Sequence, residues 1–150
     1  MKGVYVLIIE IPQNITIDVG AMKDKDFSKG QWVYIGSAQG TASTNLENRL
    51  KRHFSKKKKI HWHIDYLLDN QVILKDAILT YTNEKKECQL VQTLIRTLNF
   101  EWGPPGFGAS DCKSKCAAHL LVYSKNTGLM QSICNAFKEI GLAPQYYKKT

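Results

Sequence analysis

Two tyrosines and one basic stretch carry the residue types best suited to chemistry in this chain. Tyr5 closes the run Gly3-Val4-Tyr5, Tyr34 opens the run Tyr34-Ile35-Gly36, and Arg49, Arg52 and His53 follow on one short segment. A phenol can donate or accept a proton, and an arginine's planar fork can hold two phosphate oxygens at once. Together these groups suit a reaction at a phosphodiester. Each tyrosine taken alone also suits the edge of a core, with its hydroxyl hydrogen-bonded. Arg52 reads more readily than Arg49 as a solvated arginine on a basic helix.

Carboxylates, imidazoles and thiols supply further candidates. Glu87 recurs at helical spacing with Val91, Leu94 and Leu98, so a carboxylate sits at the N-terminal end of an apolar stripe. A hard cation, Mg²⁺ or Mn²⁺, would account for a charge there, because Mg²⁺ is often held by one or two carboxylates with water and substrate phosphate. The helix dipole would account for it too, a role open equally to Glu84. His61 and His63 flank Trp62. Cys112, Cys116 and His119 stand at C-x3-C-x2-H spacing and would suit Zn²⁺ if Cys88, Cys134 or Asp111 supplied a fourth ligand. That spacing is loose, and small buried thiols around a turn are the favoured reading. Lys56, Lys57, Lys58 and Lys59 adjoin the arginine segment and would add phosphate contacts.

The elements that must position these groups alternate between strand and helix. Residues 3–10 are almost wholly apolar and rich in β-branched and aromatic side chains, as in a strand buried on both faces. Residues 11–30 carry Pro12, Asn14, Gly20 and Gly30, which predicts a long connection with a short strand at Ile15 to Val19. Residues 31–37 return to strand composition and are expected to pair antiparallel with the first strand. Leu46, Leu50 and Phe54 predict a helix over 45–54, with Arg49 and His53 beside its apolar stripe. A second short helix follows from the His61-Trp62-His63 run through Leu68, then a strand over 71–82 and an amphipathic helix over 84–98. Pro104, Pro105 and three glycines make residues 103–108 a shaped loop. A strand at 120–123, a helix over 127–140 and a basic tail complete the chain.

Composition limits the function. The chain has 150 residues and 43% hydrophobic content, which fits one compact domain around one core. Its 21 Lys and Arg against 13 Asp and Glu give a formal charge of +8, which argues for an anionic partner, nucleic acid first. The longest apolar run, Val4 to Ile9, is too short to cross a bilayer, and the N-terminus lacks the pattern of a signal peptide, so a soluble cytoplasmic protein with no membrane partner is expected. Its four cysteines are then expected to be reduced thiols.

Gly3-Val4-Tyr5, Tyr34-Ile35-Gly36 and the helix Asn45-Leu46-Glu47-Asn48-Arg49-Leu50-Lys51-Arg52-His53-Phe54, in that order, resemble the GIY-YIG nuclease superfamily. The resemblance covers roughly residues 3–111. It is closest to a divergent archaeal-type, DUF123-like branch also found fused to a base-excision glycosylase of the endonuclease III kind. It implies an α/β (α+β) domain with a small central mixed or antiparallel sheet flanked by helices. It also implies metal-dependent hydrolysis of DNA phosphodiesters in DNA repair, with RNA as an alternative substrate and a repair glycosylase as an associated partner.

Residue by residue, the resemblance implies that Tyr5 helps to deprotonate the attacking water and that Tyr34 lines the active site. It implies that Arg49 stabilises the transition state and that Glu87, not Glu84, holds Mg²⁺. His61 would contact the scissile phosphate or water, with His63 as its alternative. Arg52, His53 and the four lysines are expected to bind nucleic acid. Two departures stand out. Tyr5 and Tyr34 are separated by 28 residues, far more than in typical members. The asparagine that usually follows the third helix has no counterpart, and Gly108-Ala109-Ser110-Asp111 stands in its region, which makes Ser110 and Asp111 additional candidates. A nucleic-acid-binding module without turnover is the alternative, and a zinc-stabilised interaction domain on Cys112, Cys116 and His119 is a third.

Overall fold

The computed structural model describes residues 1–40, 45–56, 58–109, 112 and 116–148. Lys57, Ser110 and Asp111, three of the candidates above, lie outside the described residues. The chain runs β1 (Gly3–Ile11), β2 (Ile15–Val19), β3 (Met22–Phe27), β4 (Gly30–Ala38), α1 (Leu46–Phe54), α2 (His63–Leu68), β5 (Ile73–Tyr81), α3 (Glu87–Arg96), β6 (Phe100–Trp102), β7 (Leu120–Tyr123), α4 (Leu129–Glu139) and β8 (Gln145–Tyr146). Six strands form one sheet in the order β6-β7-β4-β1-β5-β8, every described pairing antiparallel, and β2 and β3 form a separate hairpin. The fold is α+β, with a six-stranded antiparallel sheet and four helices.

The period of two along a strand explains the apolar composition of β1. Tyr5, Leu7, Ile9 and Ile11 face a core closed by Leu46 and Leu50 of α1, Ile64 and Leu67 of α2, and Val19 and Phe27 of the hairpin. Val4, Val6 and Ile8 face a second core closed by Leu90, Val91 and Leu94 of α3 and Ile133 and Phe137 of α4. With helices on both faces, neither side of β1 is polar.

The two motif glycines have a packing cause. Tyr5 pairs with Gly36 across the β1–β4 ladder. A Cβ on Gly36 would lie 2.6 Å from the Tyr5 ring and its hydroxyl, so the bare glycine is what lets the phenol lie over β4. A Cβ on Gly3 would meet the Thr80 carbonyl and Leu46, so this glycine admits α1 against the sheet.

The structure adds three strands to the sequence reading and shortens one helix. Lys23, Asp24, Lys25 and Asp26 give β3 too little apolar period to mark it as a strand, yet it pairs with β2 through Ile15 and Phe27. β6 is only three residues, and β8 lies in the segment expected to be a tail, where it pairs with Ile78 and Leu79. α3 ends at Arg96, and Leu98, expected on its buried stripe, is 88% exposed at φ 67°. The long insertion between Tyr5 and Tyr34 becomes this hairpin. It packs beside α2 and Phe107 and contributes no residue to the cleft described below.

Gly36→Ala is expected to lose about 1–3 kcal/mol of unfolding free energy in urea, because the new methyl overpacks the Tyr5 ring. In a Tyr5→Leu background the same substitution should cost measurably less, and a double-mutant cycle reads the coupling. Equal costs in both backgrounds would show that some group other than the phenol requires the glycine.

Candidate active site and metal cluster

A fully buried carboxylate organises the residues around the cleft. Asp65 is 0% exposed and receives the Arg52 guanidinium at both oxygens, with N···O distances of 2.9 and 2.8 Å. Its second oxygen also accepts the backbone N–H groups of His61 and Trp62 at 2.9 Å, so the carboxylate closes the N-terminus of α2. Burial pushes the Asp65 pKa up. The Arg52 fork and the two N–H groups together outweigh that and hold it below its ordinary value. Arg52 also donates to the Lys59 carbonyl at 2.6 Å. The reading of Arg52 as a solvated arginine is therefore corrected, and the fork it was expected to offer to nucleic acid is engaged by Asp65.

His53 is corrected in the same way. It is 2% exposed, and its Nε2 lies 2.8 Å from the Tyr5 hydroxyl. Burial drives its pKa down to about 3, with the Asp65 charge opposing and nearby cations adding to the fall. The ring is neutral and belongs to the core. Tyr5 is 1% exposed and sits one layer behind the cleft wall with its hydroxyl on His53, so it does not line the cleft. Burial first, and then the Tyr34 charge, raise its pKa well above the phenol value, while Arg49 opposes.

The cleft opens where β4 outruns β7. The β7 ladder pairs Gln31 through Tyr34, and one further bond joins the Ile35 N–H to the His119 carbonyl, so Gly36 to Ala38 have no β7 partner. A cavity of about 630 Å³ forms there, walled by Tyr34, Arg49, His61, Trp62, His63 and Glu87. Sequence separations of tens of residues are closed in this wall. Arg49 donates to the Ser37 carbonyl at 2.6 Å and lies 4.5 Å above the Trp62 ring, which Arg52 also approaches at 4.6 Å. Tyr34 is 9% exposed, and burial raises its pKa to about 12 against the pull of Arg49. His63 accepts the Gly108 N–H at Nδ1, which leaves Nε2 to carry the proton of the neutral ring. The ring of His61, exposed at the mouth, has no hydrogen-bond partner among the described residues.

Three buried polar atoms on cleft-lining residues lack a partner among the described residues: Gln39 Nε2, Arg49 Nε and a Glu87 carboxylate oxygen. Glu87 is the first residue of α3, at the position the helical stripe predicts. Next to it, Cys88 joins Cys112, Cys116 and His119 in a possible metal-binding cluster, whose four ligand atoms all lie within 4.8 Å of one another. Spacing favours thiols merely gathered around a turn. The fold instead aims three of them and an imidazole at one point, with Cys88 and not Cys134 completing the set. Burial lowers the His119 pKa, opposed by the Glu87 charge.

The lysines divide. Lys58 donates to the carbonyls of His53 and Ser55 at 2.9 and 3.0 Å and so closes the end of α1, whereas Lys56 and Lys59 are exposed. Sequence reasoning missed Asp65, Trp62 and Gln39. Only Trp62 carried a signal, its place between two histidines.

A six-stranded antiparallel sheet with helices on both faces and an open cleft at one strand end defines an α+β domain. The chain belongs to the DUF123 family: the family described as a domain of unknown function, DUF123, matches residues 4–142. No curated protein and no solved structure matches the chain significantly. Among the described residues no helix is long and apolar enough to cross a membrane.

His53 gives a pH dependence with a defined sign. Its pKa is 6.5 in an unfolded chain and about 3 in the fold, so between these values only the unfolded state binds the proton. Stability is full above about pH 6.5 and falls as the pH drops, by up to about 1.4 kcal/mol per unit. The Asp65 contribution is lost only at lower pH, below the unfolded carboxylate value of about 3.9. Melting temperatures taken from about pH 7 to about pH 4 should fall less steeply in His53→Gln than in the parent, and parallel slopes would show that His53 does not set the dependence.

Proposed function

We propose that this protein is a metal-dependent endonuclease of the GIY-YIG type that hydrolyses DNA phosphodiesters. The observation that carries the reading is the set of partnerless buried atoms on one cleft wall, donors on Gln39 and Arg49 and an acceptor on Glu87. Each such atom costs about 1–3 kcal/mol if left unmatched. A phosphate offers acceptors to the two donors, and a divalent cation offers charge to the carboxylate. The chain's formal charge of +8 favours a polyanionic partner.

Glu87 suits Mg²⁺ or Mn²⁺, because a hard cation takes carboxylate oxygen and this oxygen is otherwise unpaired. Such an ion, when bound, polarises the phosphoryl oxygen and lowers the pKa of water. Arg49, anchored through the Ser37 carbonyl and stacked on Trp62, presents its remaining donors to the non-bridging oxygens, where negative charge grows in the transition state. Tyr34, a neutral phenol, donates a hydrogen bond and orients phosphate or water. His63 donates from Nε2, and the free ring of His61 takes the proton of the attacking water. Tyr5 supports the wall from behind. The set-back position of Tyr5 is also what favours the second reading, a nucleic-acid-binding module without turnover.

Labelled duplex, flap and branched DNAs incubated with Mg²⁺ or Mn²⁺ should be cut by the parent protein. Glu87→Gln and Arg49→Ala should each lower the rate on the order of 100 to 1,000-fold with melting behaviour preserved. Salt-sensitive binding without cutting would establish the binding module instead, and neither cutting nor binding would sink both. For binding itself, Lys56→Ala with Lys59→Ala should reduce the slope of log affinity against log salt by about 0.9 for each phosphate no longer neutralised, read by fluorescence anisotropy.

A further inference from the structure

We propose that Cys88, Cys112, Cys116 and His119 form a structural Zn²⁺ site, separate from the cation on Glu87. The chemistry of the donors selects the metal. Three thiols and an imidazole are soft to borderline ligands that favour zinc over magnesium, and four protein ligands close the coordination sphere as structural zinc sites do. The spacing of the donors fits. A tetrahedron with Zn–S near 2.3 Å and Zn–N near 2.0 Å has edges of roughly 3.4–3.8 Å. The four donor atoms lie within 4.8 Å of one another, with Cys88 Sγ at 3.1 Å from Cys112 Sγ and 3.6 Å from His119 Nε2. Small rotations of the side chains suffice to receive the ion.

The surroundings are those of a ligand set. Gln92 Nε2, one turn along α3 from Cys88, lies 3.4 Å from Cys116 Sγ and donates to it, the kind of outer hydrogen bond that orients a thiolate ligand. Cys88 is the second residue of α3, so the rigid start of that helix carries one of the four donors. His119 enters from the start of β7, its backbone fixed by the bond to the Phe107 carbonyl and by the Ile35 N–H.

The fold also has a use for the ion. Residues 103–119 join β6 to β7 without a strand or α-helix among those described, a length that is uncommon unless something ties it down. The base of this loop is held by Gly103 N–H on the Leu120 carbonyl and Gly106 N–H on the Ala117 carbonyl. Zinc would tie the remaining part, through Cys112 and Cys116, to the first turn of α3. Since Glu87 immediately precedes Cys88, the same ion would fix the direction of the Glu87 carboxylate without touching the substrate.

The intact chain, purified under reducing conditions without chelator, should hold stoichiometric zinc by elemental analysis. Cobalt substitution should give the visible bands of a tetrahedral ion together with thiolate charge-transfer absorption. A Cys88→Ser, Cys116→Ser double variant should lose more than about 100-fold in zinc affinity against a chromophoric chelator, since even outer hydrogen bonds to a ligand carry 10 to 100-fold. Cys134→Ser and Glu87→Gln should keep parent affinity. If the double variant does not fold, the cobalt spectrum of the parent decides alone. A metal-free protein after zinc addition, a disulfide in place of the thiols, or loss of zinc in Glu87→Gln would each overturn the site. These readouts stand whether or not DNA is cut.

Discussion

The buried Asp65 carboxylate is the interaction on which the rest of the cleft depends. A charge with no exposure survives only if its oxygens are filled, and here an arginine fork and two backbone N–H groups fill them. The two arginine bonds join α1 to α2, and the two N–H bonds close the start of α2. Through them Trp62 is set beneath both arginines, and the direction of Arg49 follows. His61 and His63, on either side of Trp62, take their places at the mouth and wall of the cleft for the same reason. Breaking such a pair by removing one partner commonly costs about 3–5 kcal/mol, so the arrangement is stiff as well as specific.

The cleft itself comes from a mismatch of strand lengths. β4 has nine residues and β7 four, so the last part of β4 runs on beside open space. A strand edge left open would invite another strand. Arg49 occupies part of it by donating to Ser37, and the rest becomes the floor of the cavity. The two tyrosines of the motif divide across this floor: Tyr34 stands at the wall, and Tyr5 lies behind Gly36 with His53 on its hydroxyl. A bare glycine is thus the thin partition between core and cleft.

Successive residues at the start of α3 look toward two kinds of chemistry. Glu87 offers a hard oxygen to the cleft, and Cys88 offers a soft sulfur to the cluster with Cys112, Cys116 and His119. Neighbours on a helix are rotated by about 100°, which is why one turn can serve both without the two sites sharing a ligand. A shift of that turn would move both at once.

By itself the sequence determined what depends on local period. Alternation and apolar runs marked β1 and β4, a 3.6-residue repeat marked α1 and α3, and helical phase put Glu87 at the end of the α3 stripe, because side-chain direction follows from position along a regular element. Short or polar elements such as β3, β6 and β8 left no such trace, since pairing with distant strands and not their own composition makes them strands. Only the tertiary structure decided which polar groups are buried and with whom. Tyr5 with His53, Arg52 with Asp65 and Cys88 with His119 are 48, 13 and 31 residues apart. No periodicity encodes such separations, and desolvation of a polar group is settled only when the layers close over it.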